Sequence, residues 1–141
     1  MTTQTQMSVE ETRTIMERYI ASEHGDASMM ADDVVFRSMA TGEEYRTPAA
    51  VLGMLDFFYR VAFEATAQTR TFVVGPGSAV LEADFVGRHI GEFAGVPATG
   101  REVRVPLCVC YDLRDGKIVE GRIYFEIPAF LAQVGIVGTA G

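Results

Sequence analysis

The residues best placed to do chemistry lie near the end of the chain. Two alternating runs, Val103 to Leu113 and Lys117 to Ile127, put Cys108, Arg122, Tyr124 and Glu126 on one strand face. A carboxylate such as Glu126 is a candidate general base or acid when a dry pocket raises its pKa and a guanidinium, Arg122 or Arg104, lowers it. The plainer reading is a solvated ion pair with Arg104, worth little energetically. Asp84 is the second candidate. It shares a strand face with Glu82, Val86 and Arg88, and if that face lines the pocket, Asp84 and Glu126 make a carboxylate pair of the kind that separates acid from base. His89 is the side chain nearest neutrality and a natural proton shuttle, although a structural hydrogen bond to the glycine-rich loop after it explains it equally well. Tyr19 offers a hydroxyl from helical spacing, or serves as plain core; His24, beside a helix end, is read as a cap on the last carbonyls.

Other chemistries find no residues. Cys108 and Cys110 stand two apart in one strand, too far for easy bridging, and read as small buried hydrophobes. With 2 Cys and 2 His in the chain, no Cys/His metal constellation can be assembled, and no metal or cofactor is expected. The Gly91–Gly100 loop lacks the Lys-Ser/Thr of a phosphate cradle and opens no helix, so no nucleotide is implied.

These residues need elements to hold them. The two runs read as a hairpin across Arg114-Asp115-Gly116. A three-residue turn that pairs Leu113 with Lys117 collects Val103, Val105, Leu107, Val109, Tyr111, Val119, Ile123, Phe125 and Ile127 on one face. It leaves Arg104, Pro106, Cys108, Cys110, Glu120, Arg122, Tyr124 and Glu126 on the other, the expected pocket face. Upstream, Ser8-Val9-Glu10-Glu11 is a capping box, opening a helix to about Glu23. Ala27 to Ala31 suits a short helix, and Val34 to Met39 a strand with Glu43 to Arg46 returning beside it. Thr47-Pro48 starts a long helix expected to reach about Ala65. Strands follow at Thr69 to Gly75 and Ala79 to His89, then the hairpin and a short helix near Pro128 to Val134. Helices grouped before antiparallel strands indicate α+β, with helices on one face of a curved sheet. Met16, Met39, Met54, Phe57, Phe58 and Phe93 would give a pocket a soft apolar lining, or are core.

Composition sets the outer bounds. The 141 residues suit one domain, expected over 8–135 with a frayed 1–7 and a flexible 136–141 tail. A net charge of −7 without any basic stripe argues against nucleic acid and anionic membranes as partners. No apolar run reaches the roughly 18 residues of a membrane span, and Met1 to Met7 lacks a signal peptide's apolar segment, so a cytoplasmic protein is expected.

The residues also carry a resemblance. His89 to Arg101 (His-Ile-Gly-Glu-Phe-Ala-Gly-Val-Pro-Ala-Thr-Gly-Arg), Asp115 to Glu120, Tyr124 to Glu126 and Gln133 to Gly135 together resemble the SnoaL-like group. These are polyketide-cyclase-like members of the nuclear transport factor 2-like superfamily. The resemblance implies a cone-shaped, cystatin-like α+β roll: a curved, mostly antiparallel sheet with three helices over its concave face and a short C-terminal helix. It marks His89 as a functional residue and implies an apolar pocket for a polyketide-like or ketone-bearing molecule. Val105 to Phe130 is also similar to the last hairpin of limonene-epoxide-hydrolase-like enzymes, which carry an aspartate at the position of Glu126. Phe36 and Ser38 stand where those enzymes hold Tyr-x-Asn, and Asp84-x-Val86 where Arg-x-Asp is expected, so epoxide hydrolysis is disfavoured.

The expectation is therefore a cofactor-free cyclase or isomerase with Glu126, Asp84 and His89 as catalytic residues. Tyr19, Tyr124, Arg122, Phe36, Ser38, Met39, Phe58 and Cys108 would hold the substrate. The rival is a non-catalytic small-molecule binder. With the polar face as pocket, the apolar face would need a cover, most simply a second copy in a homodimer through the sheet.

Overall fold

The computed structural model describes residues 7–23 and 25–135. The expectations for His24, for 1–6 and for 136–141 lie outside them, whereas Met7, placed in the frayed start, is described and buried in the core.

Helix α1, Val9–Ala21, starts at the expected capping box. Ser8 Oγ accepts from the Glu11 N–H at 3.1 Å, and the Glu11 carboxylate accepts from the Ser8 N–H at 3.1 Å. Two donors that a first helical turn leaves unpaired are satisfied at once. A single 3₁₀ turn, Ala27–Met29, leads into β1, Met30–Ser38, with β2, Glu44–Arg46, returning beside it. Thr47 caps α2, Pro48–Asp56, its Oγ1 accepting from the Ala50 N–H at 3.2 Å.

The helix expected to reach Ala65 ends much sooner. At Phe57–Val61 the backbone widens into one π-helical turn, closed by the Ala62 N–H on the Phe57 carbonyl at 2.7 Å. Strand β3, Phe63–Gly75, begins directly after it. The cause is the partner strand: β4, Ser78–His89, is long, and Phe63 to Thr69 pair with its far half, His89 to Ala83. Left helical, this segment would strand a row of ladder groups on β4. Phe63, Ala65 and Ala67 alternate inward as strand residues do, but that spacing also continues the helical pattern before it, hence the wrong boundary.

Strands β5, Glu102–Arg114, and β6, Lys117–Phe125, complete a six-stranded sheet in the order β2-β1-β6-β5-β4-β3. All neighbours are antiparallel except β1 and β6, which are parallel. Helix α3, Ile127–Gln133, closes the described chain and packs on β5. The α+β roll with three helices is thus as expected. No helix among the described residues is long and apolar enough to cross a membrane.

The hairpin register differs from the expected one in an instructive way. Arg114 pairs with Lys117 around a two-residue turn, with Asp115 at φ 53° and Gly116 at φ 79°. Glycine and aspartate are the residues that tolerate such a left-handed pair. That turn alone would mix the faces. A bulge at Val119 restores the parity, so that Leu107 lies opposite Phe125 and Val109 opposite Ile123. The separation of faces survives, although both the turn and the pairing are different.

The side on which each face lies is a correction. Val103, Val105, Leu107, Val109, Tyr111 and Phe125 are buried beneath the chain's own α1 and α2, together with Met16, Tyr19, Val51 and Met54. The apolar face therefore already has its cover, and the argument that it calls for a second copy lapses. The polar face is the outside of the sheet, where ion pairs run across the strands: Arg122 with Asp112 and Glu120 at 2.7 and 2.6 Å, and Arg37 with Glu44 at 2.7 Å. The pattern could not settle which face the helices take, because alternation specifies two faces but not their partners.

Candidate functional site

Between the helices and the sheet lies an apolar pocket. Tyr19 enters it from α1, Phe36 from β1, Met54 and Leu55 from α2, and Phe58 and Tyr59 from the π-helical turn. Phe85 of β4, Leu107, Val109 and Tyr111 of β5, and Ile123 and Phe125 of β6 form the floor. Gly121 belongs to this design. A Cβ there would lie 2.8 Å from the Phe36 ring, so only glycine leaves that ring room in its edge-on contact with Tyr111.

The cavity volume is about 40 Å³, room for a few waters at most. Two larger grooves adjoin it. One, of about 770 Å³, shares Met54, Phe58 and Phe125 with the pocket and extends over Ser38, Tyr45, Phe57 and Phe93. The other, of about 600 Å³, shares Leu55 and Tyr59. Phe58 is the partition on the first side, its ring 5.5 to 6.3 Å from those of Phe57, Phe85, Phe93 and Phe125.

The titratable groups lining the pocket are three phenols, Tyr19, Tyr59 and Tyr111. Burial pushes Tyr59 up to about 12; Tyr19 is driven higher by burial and then by Tyr59, and Tyr111 by burial and then by Tyr19 and Tyr59. All three stay protonated at neutral pH. They can donate to an oxygen, but they cannot act as bases.

The expected site residues divide three ways. Tyr19, Phe36 and Phe58 do converge on the pocket, and Ser38 lines the adjoining groove. Asp84, Cys108, Arg122 and Tyr124 lie on the outer face, on the far side of the sheet. There Asp84 accepts from Arg104 at 2.8 Å and Arg70 at 3.2 Å; burial raises its pKa, but the two guanidinium hydrogen bonds outweigh that and hold it below the usual carboxylate range. Tyr124 is 43% exposed, and burial followed by the neighbouring Cys110 lifts the Cys108 thiol, so it is no activated nucleophile. Both cysteines are free. Glu126 is exposed at the start of α3, and Met39 is exposed beyond β1.

His89 is fully buried but in a different place, its ring packed 5.3 Å from Phe63 and 5.0 Å from Phe130. Its Nδ1 accepts from the Thr99 N–H at 3.3 Å and meets the Thr99 hydroxyl at 2.9 Å, while its own N–H and carbonyl bond Arg101 and Gly100. This geometry pins the 91–100 loop to the end of β4. Among the described residues no group of three or more His, Cys, Asp and Glu is placed to hold a metal ion.

The pocket residues not anticipated are Leu55 and Tyr59, above the sheet, and Phe85, Leu107, Val109, Tyr111, Ile123 and Phe125, on it. The six sheet residues stand on the apolar side of their strands, so the signal was present once the faces are inverted.

An α+β roll with an apolar pocket between its helices and a curved sheet has the nuclear transport factor 2-like, ketosteroid-isomerase-like fold. The comparison with known families narrows the class. The SnoaL-like polyketide cyclase model matches residues 14–134, and the chain belongs to that family. No curated protein matches the sequence significantly. Among solved structures, a candidate SnoaL-like polyketide cyclase from Jannaschia sp. CCS1 is 17% identical with a TM-score of 0.80, covering 96% of this chain and 100% of its own. IdmH of Streptomyces antibioticus, a candidate polyketide cyclase, is 28% identical with a TM-score of 0.71, covering 89% of this chain and 99% of its own. AclR of Streptomyces galilaeus, a candidate hydroxylase, is 21% identical with a TM-score of 0.75, covering 95% and 91%. A shared fold thus comes with more than one assigned chemistry.

Proposed function

We propose that the protein binds a small hydrophobic, carbonyl-bearing molecule of the polyketide kind in the pocket beneath its helices. Its buried phenols would donate hydrogen bonds to the ligand's oxygen. One observation carries this reading: the lining is apolar except for three phenols held protonated by burial. An apolar wall with a few convergent donors selects flat molecules that carry an oxygen.

A second reading, cyclase or isomerase chemistry, is supported by family membership and by the same donors. Protonated phenols in a dry site stabilise an enolate oxygen as it gains charge. The general base this requires has no counterpart among the lining residues. Asp84 faces away with two arginines on it, and Glu126 is exposed. Binding therefore ranks ahead of turnover. Epoxide hydrolysis is set aside, because no carboxylate, amide or guanidinium lines the pocket to hold a water.

The test compares anthraquinone with anthracene, which differ by two carbonyls, in the wild type and in Tyr111→Phe. The wild type should prefer anthraquinone by about 3- to 10-fold, the worth of one hydrogen bond, and the variant should lose that preference. Equal affinity for both in the wild type would remove the phenols from recognition. Cyclisation of a linear poly-β-ketone, followed by absorbance, decides the second reading: turnover that Tyr111→Phe slows supports it, and no turnover above buffer rejects it.

A further inference from the structure

We propose that the groove leading to the pocket recognises a positive charge, so that the ligand is a hydrophobic organic cation, its flat part in the pocket and a protonated amine in the groove. This rests on the pocket being a ligand site, and goes further by naming the charge of what enters it.

The groove beyond Phe58 is walled by the aromatic rings of Tyr45, Phe57 and Phe93, and Phe57 remains 39% exposed, a large apolar surface that the fold itself leaves uncovered. Aromatic faces attract cations through the negative potential of their π-systems. The charged side chains in the lining are Glu43, on the β1–β2 connection, and Glu92, on the loop after β4. They come from different segments, and both line this groove.

Several carboxylates outside the groove are matched, Asp84, Asp112, Glu120, Glu44 and Asp56 each facing an arginine. Among the described residues, neither Glu43 nor Glu92 has an ion-pair partner; Glu43 only accepts from the Thr41 hydroxyl at 3.2 Å. The second groove is different in kind, since its lining carries a cation, Arg60, paired with Asp56 at 3.0 Å, beside Glu23. Two unmatched negative charges beside aromatic rings at the mouth of an apolar pocket are complementary to an alkyl- or arylammonium group, and repel a carboxylate.

Three tricyclic probes of similar shape test this by fluorescence titration: proflavine, a cation; anthracene methanol, neutral; and anthracene carboxylate, an anion. Proflavine should bind about tenfold more tightly than the carboxylate, the sum of two weakly screened surface pairs and a cation–π contact. The Glu43→Gln/Glu92→Gln double variant should lose most of that preference and keep its affinity for anthracene methanol. A Glu10→Gln/Glu17→Gln variant, with the same net charge but altered on the exposed side of α1, should keep it. Cation and anion binding alike, or an equal loss of preference in both variants, overturns the inference while anthracene methanol binding leaves the pocket reading standing. Binding of none of the three overturns both.

Discussion

Asp84 sits in the middle of a strand with Arg70 and Arg104 on its carboxylate, and its pKa is lowered: burial pushes it up, and the hydrogen bonds from Arg104 and Arg70 more than reverse that. A folded-state value below the unfolded one, about 3.9, means the group favours the folded state fully above that pH. The contribution disappears as pH falls through the lower, folded value. Unfolding midpoints in denaturant measured from neutral to strongly acid pH should therefore drop more steeply below about pH 4 in the wild type than in Asp84→Asn. Identical acid limbs would mean the pair is too well solvated to matter. This residue also shows why side-chain types mislead when read alone. Asp84, Arg122, Tyr124 and Glu126 look like an acid–base set when only their shared parity is known, yet on the outer face the same set becomes a lattice of ion pairs and exposed side chains.

The elements were more legible than their boundaries. Capping at Ser8 and at Thr47, the place of the hairpin turn, though not its two-residue form, and the alternation of β5 and β6 each follow from local chemistry, and each is present. The π-helical turn at Phe57–Val61 was not legible, because it arises from competition between a helix and the distant strand β4 for the same backbone, and no local pattern records that contest. The turn matters for the site, since such insertions cluster at functional places and this one carries both Phe58 and Tyr59 into the pocket wall. Phe58→Ala should join the pocket to its groove. Half-buried and ringed by four aromatic neighbours, the side chain should cost about 1–3 kcal/mol of stability on removal, below the range for a fully buried phenylalanine. Urea unfolding would read that loss, and a larger apolar ligand, pyrene for example, should bind the variant better than the wild type. A variant that unfolds without binding pyrene any better would show that Phe58 is a core residue and not the partition.

At the scale of the whole molecule, the pocket is a seam between two layers held with unequal firmness. The sheet floor is continuous, with β4 paired along its length on both sides, whereas the roof is two separate helices, α1 and α2, the second short and followed by a widened turn. A cavity of about 40 Å³ cannot admit a tricyclic molecule until something yields, and the roof is the side with fewer bonds to break. On the proposed reading, binding waits for the roof to open, which makes a kinetic prediction. In stopped-flow mixing with anthraquinone, the observed rate should level off as ligand concentration rises, because opening becomes limiting; a pocket already open would give a rate that climbs linearly. Phe58→Ala, with the partition removed, should turn the plateau into a linear dependence. A ligand held as proposed would tie the layers together: at about 100 times its Kd it would add about 2.7 kcal/mol, and should raise Tm by several degrees. A linear rate in the wild type together with the expected Tm gain would mean that the roof stands open in solution, and would place the ligand's selection in the groove's charges instead of in its opening.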